Sequence, residues 1–184
     1  MCRLLFALPL ALMFAGAARA APVEQLRCLD DQLSDTQRAG IADMFAPQPA
    51  DPLVVRHPPR GTAGAARDLA TALGSCAAQF QWSPADQGLA TQYLIRRGAL
   101  SKLRLEHAPQ WGSALDRYYP IAVRMLGREE KVSDYSKRLI TAGARANGLS
   151  VSDSEEERDA VAAYLSSVRD VETTRFAFAT GRAN

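Results

Sequence analysis

Histidine is scarce in this 184-residue chain, with His57 and His107 the two examples, and neither has a partner at the spacing of a His-Glu-x-x-His zinc site. No Cys-x-x-Cys pair and no Cys-x-x-Cys-His run occurs, so dithiol redox chemistry and covalent haem attachment lose their local signatures. Equally missing are a Gly-x-Ser-x-Gly elbow, a Ser-x-x-Lys pair, a glycine-rich phosphate loop and a dinucleotide fingerprint. These gaps point to no cofactor and no metal. Aromatic residues make up only 7% of the chain, and no apolar run outside the first twenty residues approaches the roughly 18 needed to cross a bilayer. With 47% hydrophobic and 23% charged residues, the remainder has the balance of a globular domain.

The N-terminus carries the clearest instruction. Arg3 supplies a positive start, Leu4 to Phe14 form a short apolar core, and Ala18-Arg19-Ala20 offers small residues for a signal peptidase. Residues 1–20 are therefore expected to be a cleaved signal peptide, and residues 21–184 one helical domain in the periplasm or outside the cell. No membrane span remains after cleavage. Losing Arg3 and Arg19 lowers the 22 basic residues to 20, which balances the 20 acidic ones. Zero formal charge after export argues against nucleic acid as a partner, because that affinity rests on neutralising phosphates. An oxidising compartment also gives meaning to the two cysteines that outlive cleavage: Cys28 and Cys76 are expected to pair.

Apolar periodicity predicts an all-α fold of about seven helices with short connections. The first two cover about 23–33 and 35–46, the second opened by a Ser34–Gln37 capping box. Residues 46–61 hold five prolines and form an extended connector, with Leu53, Val54 and Val55 as anchors. A helix over 62–80 turns Cys76 inward. Ser83-Pro84 starts the next, which Gly98 is expected to end or hinge, and residues 102–106 are read as helical. A further helix begins at Trp111, is kinked or restarted at Pro120 and closes at Gly127; Trp111, Tyr118 and Tyr119 form an aromatic stripe beside Arg117 that reads as core before groove. Ser133 and a Ser152–Glu155 capping box open the last two, with Gly148 as a left-handed stop between them. Cys28 followed by Ser34–Ala42 resembles Cys76 followed by Ser83–Ala90, as two stapled cysteine-bearing helix pairs would.

The candidate contact region is Arg96, Arg97, Lys102 and Arg104, four cations within nine residues that suit an anionic ligand or an acidic envelope protein. The expected function is therefore non-catalytic binding in the cell envelope. The alternative is a carboxylate-dependent hydrolase acting on wall polysaccharide, with Glu106, Asp116, Glu129, Glu130 and Asp134 as its acids.

Overall fold

The computed structural model describes residues 21–45, 62–111, 113–126 and 132–181. Residues 1–20, the proline-rich connector 46–61 with His57, Gly127, Glu129 and Glu130 lie outside the described residues. Among the described residues there are seven α-helices and no strand. They are α1 (Arg27–Gln32), α2 (Asp35–Phe45), α3 (Thr62–Phe80), α4 (Pro84–Trp111), α5 (Ala114–Leu126), α6 (Asp134–Ala146) and α7 (Glu155–Thr180). A 3-10 turn, Val23–Leu26, leads into α1, so the single helix expected over 23–33 is divided in two.

The helix boundaries follow from their caps. The Ser34 hydroxyl accepts from the Gln37 amide at 3.2 Å while the Ser34 amide donates to the Gln37 side chain at 3.0 Å, the reciprocal arrangement expected from sequence. Ser83 and Asp86 repeat it at the start of α4, with the same two distances. At α7 the box lies two residues later than expected: Ser154 accepts from Glu157, and the Glu157 carboxylate reaches back to the Ser152 amide. Gly148 does take up the left-handed stop after α6, at φ +84°. Its amide donates to Arg145 and that of Leu149 to Ala144, which folds Leu149 into the core.

Two boundaries expected from sequence are absent. The helix starting at Pro84 passes through Gly98 and ends at Trp111, which closes a helix instead of opening one. Gly98 is buried where α4 crosses α2, and a methyl group there would overlap the Arg38 carbonyl oxygen. The glycine serves close approach, not a break. Likewise α5 continues past Pro120, whose ring is exposed, and does not restart.

The long helices α4 and α7, of 28 and 26 residues, pack against each other and organise the rest. α2 lies along α4, α3 packs on α2, and α5 and α6 pack on α7. One core runs through all of them, from Leu29 and Ile41 through Leu94 and Leu115 to Leu165 and Phe178. Trp82 packs edge-on to Phe178 at 5.4 Å and donates to Gln25, tying the α3–α4 turn to both ends of the described chain. Cys28 and Cys76 form a disulfide that joins α1 to α3, and Gln32 donates to Ser75 beside it. None of the helices among the described residues is long and apolar enough to cross a membrane.

Candidate functional site

The four cations singled out in the sequence all lie on α4, and each meets a carboxylate from a different helix. Arg96 faces Asp170 of α7 at 3.7 Å, Arg97 faces Asp30 of α1 at 3.2 Å, Lys102 faces Asp43 of α2 at 2.8 Å, and Arg104 faces Asp116 of α5 at 2.9 Å. All four are ties between helices, not pairs within α4. Paired cations hold α4 among its neighbours and leave little unbalanced positive charge.

Arg97 belongs to a larger, partly buried network. Asp30 also accepts from the Tyr93 hydroxyl at 2.7 Å. Arg38, buried to 7% exposure, donates to the Asp30 and Leu33 carbonyls at the C-terminal end of α1, where a cation complements the helix dipole. Its other donors reach Asp35 at 3.0 Å and Ser101 at 3.4 Å, and the Ser101 hydroxyl donates to Asp35 at 2.7 Å. Partial burial opposes the charge on Asp35. The hydrogen bonds from Ser101 and Arg38, with the positive charges of Arg38 and Arg97, outweigh that penalty and hold the carboxyl below its ordinary range.

Arg104 lines a cavity. Among the described residues, Asp35, Arg104, Leu105, His107, Trp111, Ser113, Asp116 and Tyr164 line a half-open cleft of about 300 Å³, a volume at the small end of ligand pockets. Three polar side chains close into a ring on its wall. Arg104 donates through Nη2 to both Asp116 oxygens, at 3.1 and 2.9 Å, and through Nε to the Tyr164 hydroxyl at 3.1 Å; Tyr164 donates in turn to Asp116 at 2.7 Å. Burial raises the Tyr164 pKa, so the phenol remains a proton donor in neutral solution. His107 stacks on the buried Trp111, with ring centroids 4.5 Å apart, and Leu105 at 52% exposure contributes apolar surface.

Arg104 and Asp116, both candidates from sequence, come together here; Trp111 is buried in the core as its spacing predicts and also reaches the pocket, as does the buried Tyr164, while no local pattern marks Ser113. The partners Asp116 and Tyr164 are 48 positions apart, and no local pattern marks their meeting. Of the other acids considered, Glu106 and Asp134 are exposed on α4 and α6. Glycoside hydrolysis needs a carboxylic acid held protonated opposite a carboxylate. In this pocket Asp35 is pushed the other way, and Asp116 accepts from Arg104 through both oxygens. The arrangement offers hydrogen-bond donors and acceptors beside an aromatic wall. No protein-family model, no curated protein and no solved structure matches the chain.

Proposed function

We propose that this chain is an exported, non-catalytic binding protein of the cell envelope, and that its ligand occupies the cavity lined by α2, α4, α5 and α7. The observation that carries the reading is the convergence of Arg104, Asp116 and Tyr164 with the His107–Trp111 stack on one 300 Å³ pocket. Few polar groups fixed by packing, set against an apolar wall, are what a small-molecule site requires. Export is supported by the signal-like pattern of residues 1–20 and agrees with the Cys28–Cys76 disulfide, a bond characteristic of oxidising compartments.

The test is retention of a small molecule. Purified protein is incubated with a low-molecular-weight envelope extract, ultrafiltered and denatured, and whatever is released is identified by mass spectrometry. The wild type should retain a compound that Leu105→Arg, which places a long charged side chain at the pocket, does not. Retention of nothing by the wild type, or of the same compound by the variant, would overturn the assignment.

A further inference from the structure

We infer that the ligand of this pocket is an uncharged, polyhydroxylated molecule of the saccharide class. The inference rests on the binding reading above and adds the chemistry of what is bound. It follows from charge bookkeeping on the pocket wall. Among the described residues of the cavity wall, Arg104 is cationic while Asp35 and Asp116 are anionic, and each of the three already faces an oppositely charged partner. An anion gains little there, because Arg104 Nη2 already donates to both Asp116 oxygens. A cation gains little, since Asp35 is held by Arg38 at 3.0 Å and Asp116 by Arg104 at 2.9 Å.

What the wall retains is hydrogen-bonding capacity around charges that are already paired. Among the described residues no hydrogen bond uses Arg104 Nη1, the Ser113 hydroxyl or either ring nitrogen of His107. Asp116, at 39% side-chain exposure, keeps lone pairs beyond those taken by Arg104 and Tyr164. A sugar matches this set: vicinal hydroxyls donate to a carboxylate and accept from a guanidinium, and the C–H face of the ring packs on Leu105 and the His107–Trp111 stack. Both kinds of contact are available within a single cavity.

Saturation-transfer difference NMR and isothermal titration on the full processed chain test the assignment. The neutral probes are cellobiose, chitobiose and trehalose, and the charged ones are inorganic phosphate and choline. At least one disaccharide should bind with one-to-one stoichiometry and with an affinity that is the same in low and high salt. Ser113→Ala and His107→Ala should each weaken it by about threefold to tenfold, the effect of a single lost hydrogen bond. Asp116→Asn should weaken it further, and its far-ultraviolet circular dichroism shows whether the fold survives. Since Ser113 is exposed, its variant serves as the measure if Asp116→Asn unfolds. Binding of phosphate or choline with no response to the disaccharides overturns the saccharide class and leaves the pocket reading standing. Absence of binding by all five probes also overturns the class, and the extract experiment then decides whether the pocket reading falls with it.

Discussion

Asp35 shows how a partly exposed carboxylate can be integral to a fold. It receives Arg38 and Ser101 at the junction of α1, α2 and α4, and its carboxyl sits below the ordinary value because these partners outweigh desolvation. A depressed folded-state pKa contributes stability that is fully present above the unfolded value, about 3.9, and is lost as pH falls through the folded value. Urea unfolding should accordingly find Asp35→Asn less stable than the wild type at neutral pH. The gap should narrow below about pH 4 and close once both states protonate the carboxyl. A gap that stays constant down to pH 2 would mean that the Asp35 charge is not what matters. Arg38 beside it is a different case: a buried guanidinium that loses its acceptors costs about 3–5 kcal/mol, which explains why every one of its contacts is to a carbonyl, carboxylate or hydroxyl oxygen.

Between helices, the decisive contact is backbone against backbone. Gly98 lets α4 meet α2 at Arg38 and Ala42, whereas Gly88 on the same helix has open space around it. Helix propensity alone favours alanine over glycine by about 1 kcal/mol at either position. Gly88→Ala should therefore stabilise the protein by about 0.5–1 kcal/mol. Gly98→Ala should destabilise it by about 2 kcal/mol or more, because the Arg38 carbonyl cannot swing aside as a flexible side chain would. Thermal unfolding of the two variants side by side checks both signs, and a stabilised Gly98→Ala would contradict the crossing described. The same contrast explains what could be read from sequence. Caps at Ser34 and Ser83 were legible because all the groups involved lie within four residues. The continuity of α4 was not, since a glycine that ends a helix and one that admits a neighbour look alike until the neighbour is known. Arg104 could be singled out as a cation, but its role depends on Asp116 and Tyr164, whose approach is a property of the assembled core.

Across the whole molecule, covalent and ionic ties act on different pairs of helices. The disulfide spans 48 positions and brackets α2, the connector and most of α3. In the chain-entropy picture such a loop contributes about 4 kcal/mol by restricting the unfolded ensemble. Replacing Cys28 and Cys76 together by serine should lower Tm by ~10 °C, given the usual sensitivity of a domain of this size. Mass spectrometry of native protein should rise by two hydrogens on reduction. An unchanged mass would remove the staple, and an unchanged Tm would remove its contribution to stability.

The ion pairs of α4 run to α1 and α2, which precede it, and to α5 and α7, which follow it. A polypeptide released N-terminus first through a narrow pore would thus present Arg96 and Arg104 well before Asp170 and Asp116 arrive to meet them. Two of the four pairs can close with helices that precede α4, and two wait for α5 and α7, so the final packing around α4 is complete only once the last helix is in place.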